Sequence, residues 1–126
     1  AFAAHRVTVH IPRRPYRESL PGIPTIRMFE ALACGIPLVS APWTDVEQLF
    51  RPGIDFLFAR DGSEMGRHLR NVLDDTDLAA SLVKSGLETI GRRHTCRHRA
   101  DELFDVLAEC GNRQAIDPIA IEETVA

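Results

Sequence analysis

Residues 25–41, "TIRMFEALACGIPLVSA", limit the fold more than any other stretch. Thr25 can cap a helix by accepting from a backbone N–H one turn ahead. Ile26, Phe29 and Ala33 then recur at helical spacing and make a buried face. Gly35 can take the left-handed turn that ends the helix, and Pro37 forbids its continuation. "PLVSA" (37–41) follows at once and reads as a short buried strand. Strands apolar on both faces belong to parallel sheets covered by helices. A helix running directly into such a strand therefore predicts an α/β layer fold.

The flanking pattern agrees. "HRVTVHI" (5–11) alternates and is β-branched, which predicts a strand. "PRRPYRESLPGIP" (12–24) holds four prolines and a glycine and predicts a loop. "TDVEQLF" (44–50) predicts one or two helical turns, "RPG" (51–53) a turn and "IDFLFA" (54–59) a third strand. Asp61 or Ser63 caps "EMGRHLRNVLDD", with Met65, Leu69, Val72 and Leu73 inward. A helix over about 77–92 carries the stripe Leu78, Leu82, Val83, Leu87 and Ile90. Thr95 can cap a last long helix, where Ala100, Leu103, Phe104 and Leu107 align, and a weakly patterned tail begins at Gly111. Helices between the strands make the sheet parallel with right-handed crossovers. The expected fold class is α/β, a parallel-sheet Rossmann-like domain. Three short strands are few for such a sheet, so residues 1–110 are expected to be the C-terminal portion of a larger domain, with residues 111–126 a tail.

A chain of 126 residues with 44% hydrophobic and 26% charged residues is an ordinary globular composition for one domain. The net charge of −3 does not point to nucleic acid or an anionic membrane surface. No apolar run approaches the ~20 residues of a membrane helix, and no signal peptide is evident. Cys34, Cys96 and Cys110 are an odd set without CxxC spacing, which reads as reduced thiols in a cytoplasmic protein. Charge is unevenly placed: between His5 and Arg27, Arg6, Arg13, Arg14, Arg17 and Arg27 stand against Glu18 alone. A basic segment in an acidic protein suggests a small anion site; a solvated loop containing arginines accounts for it equally.

Open parallel sheets bind ligands at the carboxyl ends of strands, near helix N-termini. The arginine-rich segment leaves the carboxyl end of strand 5–11 and leads to the helix at Thr25. The first N–H groups of that helix carry roughly half a positive charge and can hold an anion. Arg27 adds a fork that matches phosphate oxygens, and Glu30 follows one turn later. A carboxylate is a good acceptor for two adjacent sugar hydroxyls. Diphosphate at the helix start and ribose one turn along is thus chemically coherent. The same i,i+3 spacing also suits a simple helix ion pair of ~0.2–0.5 kcal/mol.

The run "GIPTIRMFEALACGIPLVSAPWTDVEQLFRPGIDFLFARDGSEM", with "GRRHTCRHRADEL" after it, resembles the C-terminal region of group 1 glycosyltransferases, most of all the CgeB-like, spore-maturation type. The likeness covers about residues 5–108. It implies the second Rossmann-like domain of a two-domain GT-B enzyme, which binds a nucleotide-diphosphate sugar, while an N-terminal domain outside this sequence mostly binds the acceptor. It also implies that Glu30 contacts the nucleotide ribose and that the backbone of Pro24, Thr25 and Ile26 contacts the diphosphate. Eight positions before Glu30, related retaining transferases carry another glutamate, and here Gly22 stands in its place; Glu18 lies four residues earlier still. A glycine there can let backbone approach a ligand closely.

The expected site is therefore His10, Arg13, Arg14, Gly22, Pro24, Thr25, Ile26, Arg27 and Glu30. His10 ends the first strand beside the arginines and could touch donor or acceptor, or be a structural histidine. His94 and His98 are spaced i,i+4, yet no HExxH or third ligand accompanies them, so neither a metal nor another cofactor is expected. No GxGxxG or P-loop is present. The expected partners are a nucleotide-diphosphate sugar donor and an unknown acceptor, with no nucleic acid and no integral membrane segment. A competing class is a non-catalytic glycosyltransferase-like interaction module. A receiver-type regulatory domain ranks last, because the acidic cluster after the first strand is missing.

Overall fold

The computed structural model describes residues 4–19, 22 and 24–114. The chain forms two compact units, Ala1–His94 and Thr95–Ala126. In the first unit the elements run β1 (Thr8–His10), α1 (Arg14–Ser19), α2 (Ile26–Ala33), β2 (Leu38–Ser40), β3 (Leu57–Phe58), α3 (Gly62–Asp74) and α4 (Thr76–Arg93). The strands make one parallel sheet in the order β1-β2-β3. This is the parallel-sheet Rossmann-like α/β arrangement expected from the sequence. His10 pairs with Ser40 and Ser40 with Phe58, so these three residues form the carboxyl edge of the sheet. Beyond it, Ala41 N donates to His10 O (2.8 Å) and Ala59 N to Ser40 O (2.8 Å).

The core gathers Met28, Ala31 and Leu32 of α2 with Ile36, Leu38, Leu49, Phe50 and Phe56. The inward face of α2 thus differs from the expected one. Ile26 is 72% exposed and Ala33 is exposed, whereas Met28 and Ala31 are sealed. Both stripes have helical spacing, and packing against the sheet and α4 selects between them. Gly86 of α4 lets the two helices approach, since a Cβ there would lie 2.9 Å from the Leu32 Cδ2. Gly35 ends α2 with φ +63°, the left-handed conformation expected of it. Asp61 caps α3 by accepting from Glu64 N at 2.8 Å. Asp75 caps α4 by accepting from Asp77 N and Leu78 N.

Two segments depart from expectation. The proline-rich stretch 12–24 contains α1, because Pro15 sits in its first turn, where no backbone donor is required. Residues 44–50 form no helix. The Asp45 carboxylate instead captures the amides of Leu49 (3.0 Å) and Phe50 (2.9 Å), and Gln48 adopts φ +51°. The end of α4 holds this loop: Arg93 donates to Gln48 O (2.8 Å) and His94 Nε2–H to Leu49 O (2.9 Å).

The second unit contains α5 (Cys96–Gln114). Thr95 N donates to His98 Nδ1 at its start (3.3 Å). Leu103, Phe104 and Leu107 of its apolar stripe are exposed. The helix continues through Gly111 to Gln114, and residues 115–126 of the expected tail lie outside the described residues.

Candidate functional site

Three side chains from distant segments meet at the carboxyl edge of the sheet. His10 ends β1, Ser40 ends β2 and Thr25 is the N-cap residue of α2. His10 is 2% exposed, with the Trp43 ring edge-on at 6.4 Å between centroids. Its Nδ1 lies 2.9 Å from Ser40 Oγ and its Nε2 2.9 Å from Thr25 Oγ1. The Ser40 hydroxyl gives its one proton to Ala41 O at 2.9 Å. Ser40 Oγ therefore accepts from His10 Nδ1–H, and His10 Nε2 accepts from the Thr25 hydroxyl. The ring is a neutral imidazole with its proton on Nδ1.

Burial, reinforced by the charge of Arg27, lowers the His10 pKa from 6.5 to about 4. A proton on this ring would break the bond from Thr25 and sit unsolvated. Between pH 6.5 and about 4 the unfolded chain takes up a proton that the folded chain refuses. Stability from this group is complete above pH 6.5 and falls as pH drops towards about 4. Urea melts at pH 7, 5.5 and 4.5 should show a progressive loss that His10→Gln reduces; an equal loss in both proteins would assign the pH sensitivity to other groups.

The start of α2 is open. Thr25 has the extended backbone of an N-cap (φ −77°, ψ 155°), but its side chain makes no capping hydrogen bond. This corrects the expected cap: the hydroxyl is turned to His10 and makes no bond to the helix. Met28 N bonds back to Thr25 O at 3.1 Å. Among the described residues nothing accepts from the amides of Ile26 and Arg27. The side chains of Arg27 and Glu30 are exposed. Among the described residues the ion pairs join Arg14–Glu18, Arg51–Asp55, Arg60–Glu64, Arg67–Glu64, His68–Glu64 and Arg99–Glu102, so Arg27 and Glu30 are not paired with each other.

The structure thus brings His10, Thr25, Ile26, Arg27 and Glu30 to one helix start, with half-buried Pro24 just before it. His10 is buried and meets the helix start through its bond to Thr25. Gly22 has φ +90°, and a Cβ there would lie 2.7 Å from Val46 Cγ2. Any side chain at this position meets both backbone strain and the loop after β2. Arg13 is exposed and Arg14 Nε stands 3.8 Å from the Glu18 carboxylate, both largely in solvent. Neither hydrogen-bonds to the helix start among the described residues.

Sequence reasoning did not single out Ser40. Its signal was available: it is the one hydroxyl in an otherwise apolar strand, and a buried hydroxyl needs a partner. Among the described residues no three His, Cys, Asp or Glu side chains form a metal-binding group. A separate cleft of about 370 Å³ is lined by Trp43, Thr44, Asp45, Gln48, Phe50, Pro52, Phe56 and Phe58. It is mostly apolar, its Asp45 carboxylate is spent on the loop amides, and Thr25, Arg27 and Glu30 do not line it.

Fold and edge geometry place the chain among Rossmann-like α/β proteins with an open helix start at the carboxyl ends of the strands. The chain belongs to the glycosyl transferase-like family, whose model matches residues 1–105. Among solved structures it is similar to HepE of Anabaena, determined in complex with UDP-glucose, at 18% identity and a TM-score of 0.72. The match covers 86% of this chain and 29% of HepE, so the chain spans less than a third of that relative's length. A search of curated proteins returns no match. Among the described residues no helix is long and apolar enough to cross a membrane.

Proposed function

We propose that this chain is the donor-binding part of a cytoplasmic GT-B glycosyltransferase of the CgeB-like type. It binds a nucleotide-diphosphate sugar for transfer to an acceptor held largely by an N-terminal domain of the same protein. Residues 1–110 are its contribution to the donor domain. The observation that carries this reading is the open start of α2 at the sheet's carboxyl edge, with Arg27 and Glu30 exposed and unpaired with each other one turn apart. The backbone of Pro24, Thr25 and Ile26 faces the diphosphate, and Gly22 lets the backbone approach the ligand closely. Arg27 stabilises charge growing on the leaving diphosphate, and Glu30 accepts from the ribose hydroxyls. Arg13 and Arg14 add positive potential to the approach. UDP-glucose in HepE supports the ligand class.

A second reading is a glycosyltransferase-like interaction module without chemistry. Gly22 favours it, because the position of the retaining enzymes' earlier acid is closed here to any side chain by φ +90° and by Val46. Calorimetric titration of the full-length protein with UDP, GDP and ADP separates the two. One saturable site for at least one of them is expected. Absence of binding by all three would leave the interaction module.

A further inference from the structure

The threonine placed to cap α2 does not cap it, and the reason lies behind it. A threonine at an N-cap ordinarily accepts from the amide two or three residues ahead. Thr25 has the backbone of such a residue, yet its hydroxyl lies 2.9 Å from His10 Nε2 and makes no bond to the helix. The ring it serves is fully used: Nδ1–H goes to Ser40, and Ser40 is 0% exposed. Ser40 spends its own proton on Ala41 O, which obliges His10 to present N–H at Nδ1 and a lone pair at Nε2. That lone pair is what draws the Thr25 proton.

A leucine would fill the end of an apolar strand without any polar partner. A buried imidazole costs least when both nitrogens are satisfied, and here one of the two partners is the cap residue itself. We propose that His10 and Ser40 are positioning residues that hold the Thr25 hydroxyl away from the first turn of α2, leaving the Ile26 and Arg27 amides open to the diphosphate of a nucleotide ligand. This rests on the donor-binding reading above. A capping hydroxyl accepts from the amide two or three residues ahead, and Met28 N is already bonded to Thr25 O, so a diphosphate and a capping hydroxyl would compete at Arg27 N, which the relay keeps free. Burial and Arg27 keep His10 unprotonated at neutral pH, which the acceptor role of Nε2 requires.

The test is calorimetric titration of the full-length protein with UDP, with GDP and ADP in parallel. His10→Leu frees the Thr25 hydroxyl to turn onto the helix amides, and the nucleotide that binds wild type should weaken by about fivefold, the fold-change equivalent to one N-cap of ~1 kcal/mol. His10→Leu combined with Thr25→Val removes the competing hydroxyl and should recover most of that loss. A merely structural histidine predicts the opposite, with the double variant binding no better than the single; that result overturns the proposal, as does unchanged affinity in His10→Leu. His10→Gln can still accept from Thr25 and should bind within about twofold of wild type. If His10→Leu does not fold, the imidazole nitrogen shifts of the wild-type protein decide. Protonated Nδ1 and bare Nε2 at pH 7 support the relay, and the reverse tautomer overturns it. Failure of wild type to bind any of the three nucleotides brings down the donor reading and this proposal with it; binding by wild type with no rescue brings down the proposal alone.

Discussion

Asp55→Ala should destabilise the protein by about 3 kcal/mol, at the low end for breaking a buried ion pair. The Asp55 carboxylate is 0% exposed and collects donors from three directions. Arg51 gives its backbone N–H at 2.9 Å, its Nε at 3.2 Å and its Nη2 at 2.7 Å. Thr89 Oγ1 donates at 3.0 Å and in turn accepts from Arg51 Nη2 at 3.0 Å. This cluster ties the turn before β3 to the C-terminal half of α4, beside the close approach at Gly86. Removal of the carboxylate strands the Thr89 hydroxyl and one backbone amide in a dry environment. It does not strand a buried charge, because the Arg51 side chain is 43% exposed and can rehydrate; hence the low end of the range. Asp55→Asn should cost nearly as much, since one of its two acceptors becomes a donor facing the guanidinium. Thr89→Val leaves the charged pair intact and should cost only about 1 kcal/mol. Urea denaturation of the full-length variants measures all three. A loss below about 1 kcal/mol for Asp55→Ala would show that water or a neighbouring donor replaces the carboxylate.

Much of this fold is readable in the sequence for identifiable reasons. β2 announces itself because Pro37 and an unbroken apolar run leave little else for it to be, and Gly35 supplies the left-handed turn before it. The start of α3 is marked by Asp61, whose carboxylate caps as its position suggests, whereas Asp75, read as the end of that helix, instead caps α4. The inward face of α2 is ambiguous because six of its eight residues are apolar. Periodicity then offers two stripes, and contacts distant in sequence choose between them. The loop after β2 is misread for a different reason. Counting apolar residues in 44–50 overlooks Asp45, which competes locally for the amides a helix would need. At the site, Arg27 and Glu30 can be found from spacing, since an exposed helix turn obeys a local rule. The relay behind them cannot. His10, Thr25 and Ser40 belong to segments separated by 15 and 30 positions, and only the sheet register brings them together.

Glu30→Gln should weaken binding of a nucleoside diphosphate by ~1.5–3 kcal/mol, the scale of hydrogen bonds to a charged group. Glu30 stands exposed one turn into α2 and is not paired with Arg27, so its carboxylate is available to two ribose hydroxyls. The corresponding 2′,3′-dideoxy nucleotide offers no hydroxyls and should be weakened far less by the same change. Arg27→Ala should instead weaken both ligands about equally, because both retain the diphosphate. Stability should hardly change in either variant, since an exposed helix side chain with no ion-pair partner among the described residues contributes little to the folded state. Calorimetric titration of both ligands against both variants, alongside melting temperatures of the full-length protein, resolves the two roles. The decisive quantity is the difference between the ribose-bearing and dideoxy ligands, because a general distortion of the helix start would weaken them together. A Glu30→Gln variant that binds the ribose-bearing ligand as well as wild type but melts earlier would make Glu30 a structural residue. The donor reading would then lose its ribose contact and rest on Arg27 and the open amides of α2 alone.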